Sequence, residues 1–169
     1  MPPSARPTSG RARAALLDLL GARLNGARVL DLYAGSGAVG VEAVSRGAAS
    51  AVLVDPDAGD LPDELARWDV GEREVRVLAE RASRAIERLA SGDERFDIVF
   101  ADPPYAREAV QRELSALAAL LAPGAVVVVQ GDAGSDSPAL PGLAPVARRV
   151  YGRNVFHFLG VFDGTPRKC

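Results

Sequence analysis

Asp102-Pro103-Pro104-Tyr105 follows directly on the apolar run Phe96-Asp97-Ile98-Val99-Phe100-Ala101. A strand that ends this way makes a rigid polar pocket capped by an aromatic ring. Two prolines fix φ near −65° and remove two backbone donors, so the carbonyls around them are left to accept. Asp102 adds a carboxylate acceptor and Tyr105 a π-face. The chemistry this suits is recognition of an exocyclic amino group on a flat nucleobase. Its two hydrogens are held by two acceptors, its ring is stacked, and its nitrogen is presented to an electrophile.

A second constellation lies upstream. Val29-Leu30-Asp31-Leu32-Tyr33-Ala34-Gly35-Ser36-Gly37-Ala38-Val39-Gly40 reads as strand, glycine loop and helix. Gly35 and Gly37 let the backbone approach a ligand, and the following helix supplies free N–H groups and a positive dipole end. Gly35 to Gly40 also fits G-x-G-x-x-G, which alone suggests a dinucleotide. Asp31 argues against a pyrophosphate, because a carboxylate there repels phosphate. It favours a ligand with a cationic amino group, such as S-adenosylmethionine. Asp55, after the apolar run Ala51–Val54, lies about 20 residues beyond the glycine loop, a spacing that suits a carboxylate on ribose hydroxyls. Nicotinamide cofactors share the ribose contact; Asp31 and Asp102 separate the two readings.

These residues need a frame. The chain has 169 residues, 48% of them hydrophobic, enough for a real core in one domain. Its net charge of −2 makes any nucleic-acid-binding surface local. The one cysteine, Cys169, excludes internal disulfides and a cysteine metal cluster, and no metal is expected. His157, the one histidine, sits in the alternating run Val155–Leu159 and is expected to be a partly exposed strand residue. No signal peptide or membrane-spanning run is visible, so a cytoplasmic protein without membrane contact is expected.

Residues 1–7 read as a loose lead-in. Thr8 or Ser9 caps a helix from about Gly10 to Ala22, with Leu16, Leu17, Leu19 and Leu20 on its apolar side. Strands are expected at Arg28–Leu32, Ala51–Asp55, Glu74–Leu78, Phe96–Ala101 and Ala125–Gln130. Helices are expected near Ala38–Ser45, Asp63–Trp68 and Ala82–Ala90, with a long one at Glu108–Leu121. Residues 131–143 are rich in Gly, Asp, Ser and Pro and read as a mobile loop. Two alternating strands, Val146–Tyr151 and Val155–Val161, close the chain as a hairpin over Gly152-Arg153-Asn154. Alternating βα units with apolar strands imply an α/β, mostly parallel, doubly wound sheet with a C-terminal antiparallel hairpin. Ligands of such sheets bind beyond the strand C-termini, where Asp31, Asp55 and Asp102 all fall.

The chain resembles the RsmD-type methyltransferases, which use S-adenosylmethionine to methylate guanine N2 in bacterial 16S ribosomal RNA. The resemblance rests on Arg6-Pro7-Thr8 with Arg11 and Arg13, on Leu30–Gly37, on Ser45-Arg46-Gly47-Ala48, on Asp102–Tyr105 and on Tyr151-Gly152. It implies a Rossmann-like class I methyltransferase fold over residues 1–169 as a single domain, acting as a monomer on 16S rRNA within a small-subunit particle. It implies catalysis by Asp102, Pro103, Pro104 and Tyr105. The cofactor, with S-adenosylhomocysteine as its product, is expected against Asp31, Tyr33, Ala34, Gly35, Ser36, Gly37, Asp55, Pro56, Arg81, Ala82 and Asp102. The RNA is expected against Arg6, Thr8, Arg11, Arg13 and Tyr105, with Arg148, Arg149 and Arg153 extending the basic rim. Three departures stand out. Only Met1–Ala5 precede Arg6, where the family carries a basic β-hairpin. Glu80-Arg81 replaces the acidic residue expected near the adenine. Gln130 stands where the family often has Glu. A DNA adenine-N6 methyltransferase and a degenerate, purely binding version of the fold are the alternatives.

Overall fold

The computed structural model describes residues 10–67, 74–104 and 107–161, with the backbone alone at 64, 67 and 107. Seven strands form one sheet. They are β1 (Arg28–Leu32), β2 (Ser50–Val54), β3 (Val75–Leu78), β4 (Phe96–Ala101), β5 (Leu121–Asp132), β6 (Leu143–Tyr151) and β7 (Asn154–Val161). Their order is β3-β2-β1-β4-β5-β7-β6. β1 to β5 are parallel, and β7 is antiparallel to both β5 and β6. The chain reverses its direction of winding between β1 and β4, which opens a crevice at their carboxyl ends.

Helices cover both faces because β1, β2, β4 and most of β5 are buried on both. α1 (Gly10–Leu20), α2 (Ala38–Ser45) and α3 (Leu61–Arg67) pack on one face, where Leu16, Leu17, Leu53, Phe100, Val128 and Phe156 meet. α4 (Ala82–Ser91) and α5 (Arg107–Glu113) cover the other, with Ile86, Leu89, Val99, Leu114 and Val127. Among the described residues no helix is long and apolar enough to cross a membrane.

Several expectations require correction. The long helix over Glu108–Leu121 is instead α5 followed by a 3-10 turn, Leu117–Leu120. Leu121 already pairs with Phe96, so tertiary pairing overrides the helical spacing of the leucines. The register then shifts across Pro123-Gly124, and Gly124 takes φ +76. The expected loop at 131–143 loses its ends to β5 and β6, and Leu140 within it is buried. α1 stops at Leu20, before Gly21 at φ +48, and Leu19 is 44% exposed rather than on the apolar side.

The C-terminal hairpin is present, with its antiparallel strand inside the sheet rather than at the margin. β7 carries Val155, Phe156, His157 and Leu159, all buried, and takes the slot beside β5. β6 carries Arg148 and Arg149 and forms the edge, where charge discourages further pairing. His157 is only 2% exposed, contrary to the alternating pattern, with Nε2 3.4 Å from Ser135 Oγ. The connection from β5 to β6 covers the outer face to which the pattern assigned it.

Candidate active site

β1 delivers Asp31 to the crevice one residue before its end, and the chain must then turn sharply into α2. Tyr33 makes that turn at φ 61, a left-handed conformation rarely tolerated by a bulky residue. Strain of this kind gathers at sites that bind or react. Gly35 (φ 54) and Gly37 (φ 71) complete the loop. Gly40 is packed so closely that a Cβ there would stand 2.2 Å from Leu53 Cδ2 and 3.4 Å from Asp31 Oδ2. Only glycine lets α2 lie this near β2.

The carboxylates use these backbone donors. Asp31 Oδ2 accepts the Gly40 N–H at 2.9 Å, filling one of the open donors of the α2 N-terminus. Asp31 Oδ1 is buried with no hydrogen-bond partner among the described residues. Burial pushes the Asp31 carboxyl up to about 7; the Gly40 hydrogen bond opposes this, and the charges of Asp102 and Asp55 add to it. Asp55 Oδ2 accepts the Gly35 N–H and Oδ1 the Asp57 N–H, both at 2.9 Å. Asp102 leaves β4 with its N–H on the Leu32 carbonyl, and its Oδ2 accepts from Gln130 Nε2 at 3.0 Å. Tyr33 donates its hydroxyl to Glu113 Oε2 at 2.9 Å, joining the loop after β1 to α5.

Together these residues line one cavity of about 470 Å³. The structure brings Asp31, Tyr33, Ala34, Gly35, Ser36, Asp55, Pro56, Arg81, Ala82 and Asp102 to its wall, with Pro104 at the mouth. Gly37 is not in the wall; it sits at the head of α2. Arg81 caps α4 in an extended conformation, while Glu80 turns away to pair with Arg88 and Arg84. Pro103 is half-buried, and Tyr105, Arg6 and Thr8 lie outside the described residues. Five acidic side chains (Asp31, Asp55, Asp57, Asp102 and Glu113) line the cavity against two basic ones, Arg13 and Arg81. Such a wall suits a ligand with cationic groups rather than a phosphate.

The two α1 arginines of the expected RNA set part ways. Arg11 is exposed. Arg13 faces the cavity and binds Glu42 Oε2 at 2.6 Å. Burial raises the Glu42 carboxyl, but the hydrogen bonds from Arg13 and Arg46 outweigh it and hold it below its ordinary range. Arg46 extends this network to Asp18.

The chain matches, over residues 1–160, the family described as "Conserved hypothetical protein 95". The curated protein "Ribosomal RNA small subunit methyltransferase D" of Escherichia coli K12 is 35% identical over 144 residues, covering 82% of this chain and 70% of that protein. This chain belongs to that methyltransferase family.

Solved structures agree with the family's fold. A hypothetical protein of Thermus thermophilus superposes with a TM-score of 0.74 at 38% identity, covering 94% of this chain and 90% of the other. An SAM-dependent methyltransferase of Agrobacterium tumefaciens, only 17% identical, shares the fold with a TM-score of 0.67, covering 86% of this chain and 61% of its own. In this methyltransferase, sequence reasoning noted Gln130 only as a departure from the family and did not place it, Glu113, Asp57 or Phe100 in the site. Gln130 left one trace, a polar residue closing the apolar run Val126–Val129. Glu113 left none, since only the packing of α5 brings it to Tyr33, 80 residues away.

Proposed function

We propose that this methyltransferase transfers the methyl group of S-adenosylmethionine to the exocyclic N2 of a guanine in 16S rRNA, within a small-subunit particle. The observation that carries the reading is the convergence of Asp31, Asp55 and Asp102 on one acidic cavity at the β1/β4 crevice. The cofactor supplies an electrophilic methyl on a sulfonium. The unpartnered Asp31 Oδ1 receives its ammonium group, and the remaining lone pairs of Asp55 receive the ribose hydroxyls.

Guanine N2 is a poor nucleophile, its lone pair delocalised into the ring. What the protein contributes is position and exclusion of water. Asp102 and the Pro103 carbonyl accept the two N–H bonds and aim the lone pair at the methyl carbon. Gln130 holds one carboxylate oxygen of Asp102 and so fixes the orientation of the other. Positive charge grows on the nitrogen during transfer, and both acceptors bind it more strongly than the ground state. As the nitrogen gains the methyl group, the methyl–sulfur bond of the cofactor would break with its electron pair staying on sulfur as a neutral thioether, and the nitrogen would lose one N–H proton, with Asp102 the adjacent acceptor. Tyr105 stacks the base after it leaves the RNA helix.

The test is incubation with labelled S-adenosylmethionine and unmodified small ribosomal subunits, followed by nucleoside analysis. N2-methylguanosine is expected. N6-methyladenosine, or binding of the cofactor with no transfer to any nucleoside, overturns the reading.

A further inference from the structure

A guanine held at Asp102 brings its neighbours in the RNA strand across the surface beside it. The strand pairing fixes which residues they meet. Gln130 of β5 lies opposite Phe156 of β7, and Phe156 opposite Arg149 of β6. Directly opposed residues in antiparallel strands point to the same face. Gln130, Phe156 and Arg149 therefore form a row on the face that carries Asp102. One step nearer the carboxyl edge, Asp132, Asn154 and Tyr151 form a second row.

Adjacent strands are about 4.8 Å apart, which puts Arg149 about 10 Å from Gln130. Gln130 in turn touches Asp102. Phe156 between them is fully buried, whereas Arg149 is exposed and Tyr151 is 49% exposed. Arg149 donates to the Arg148 carbonyl and forms no ion pair with a described residue. Arg153, at the tip of the turn, is exposed as well. Asp132 repels phosphate at the β5 end of the outer row. The exposed Arg149, Tyr151 and Arg153 make β6 and its turn the basic side of these rows.

We infer that the β6–β7 tip is a binding site for the single-stranded RNA flanking the target base. Arg149 and Arg153 take phosphates, and Tyr151 stacks a neighbouring base, as aromatic side chains do on unpaired nucleotides. The inference rests on the RNA substrate proposed above and adds a subsite to it.

The test uses the full chain with labelled S-adenosylmethionine and unmodified small subunits. Arg149→Gln and Tyr151→Ala are compared with Arg23→Gln, an exposed arginine bonded to the Gly124 carbonyl near the amino end of β5, away from the carboxyl-end crevice. Tyr151→Ala should raise the KM for RNA about tenfold with kcat unchanged. Arg149→Gln should lower the slope of log affinity against log salt by about one unit. Arg23→Gln should change neither, and all three should bind S-adenosylhomocysteine as the parent does. If the parent methylates RNA and the β6 variants match it in KM and salt slope, the subsite is wrong and the substrate stands. If the variants instead lose only self-association or binding to ribosomal protein, the surface serves another partner and the inference falls. If the parent methylates no RNA, the substrate assignment fails first.

Discussion

Gln130 Nε2 donates to Asp102 Oδ2 across 3.0 Å, tying the end of β5 to the end of β4. The bond crosses 28 residues of sequence and holds Asp102 in the cavity wall. Replacing Asp102 by Ala removes a positioned acceptor and should cost roughly 3 kcal/mol in the barrier. Gln130→Ala leaves the acceptor but frees its orientation; a hydrogen bond to a charged group is worth about 1.5–3 kcal/mol, and a smaller loss of kcat is expected. Both variants should bind S-adenosylhomocysteine nearly as the parent does. Single-turnover methylation with calorimetry checks the pair. Equal rates for Asp102→Ala and parent would remove Asp102 from the chemistry.

Asp31 makes cofactor affinity depend on pH. Burial pushes its carboxyl up to about 7, while the unfolded chain has the ordinary value. Between those values the folded protein holds a proton that the unfolded chain has released. Stability of the empty protein therefore falls as pH rises through about 4 to 7. A ligand ammonium at Oδ1 favours the ionised carboxylate, so binding expels the proton. Affinity for S-adenosylhomocysteine should rise from about pH 5 to about pH 7 and then level off. Calorimetry in two buffers of different ionisation enthalpy reads the released proton directly. A flat profile with no proton release, or the same profile in Asp31→Asn, would remove Asp31 from the ammonium site.

Gly40 is a packing test. Alanine there drives a methyl group into the fully buried Leu53, so Leu53 or α2 must shift. Overpacking of this kind costs about 1–3 kcal/mol. The helical gain of alanine over glycine offsets at most about 1 kcal/mol of it. Gly40→Ala should melt several degrees lower than the parent and bind cofactor more weakly, since the clash pushes α2 away from Asp31. An unchanged melting curve would mean that α2 can shift without cost.

Asp55 carries two loads, the ribose and the glycine loop. Asp55→Ala should lose affinity for S-adenosylhomocysteine by more than the hydrogen bonds to the sugar alone, because the Gly35 and Asp57 amides lose their acceptor. Comparing S-adenosylhomocysteine with its 2′-deoxy analogue on both proteins separates the loads. A parent protein that does not distinguish the two ligands would show that Asp55 holds the loop and not the ribose.

What the sequence made legible was local. Apolar runs ending in Asp31, Asp55 and Asp102 name strands and their carboxyl ends, and glycines mark the turn into α2. What it hid depends on residues far apart. The order β5-β7-β6 rests on which hairpin strand is the more apolar, and alternation alone does not decide that. His157 alternates like an outward residue, yet Ser135 and its loop cover it. The bond from Tyr33 to Glu113 needs α5 in place before it exists.

Asp55 accepts from the Gly35 and Asp57 amides, so the loop around it is held by bonds within the chain itself. The conformational entropy of that loop is surrendered on folding rather than on binding. The amide protons of Gly35 and Asp57 should exchange slowly in the empty protein and change little when the site fills.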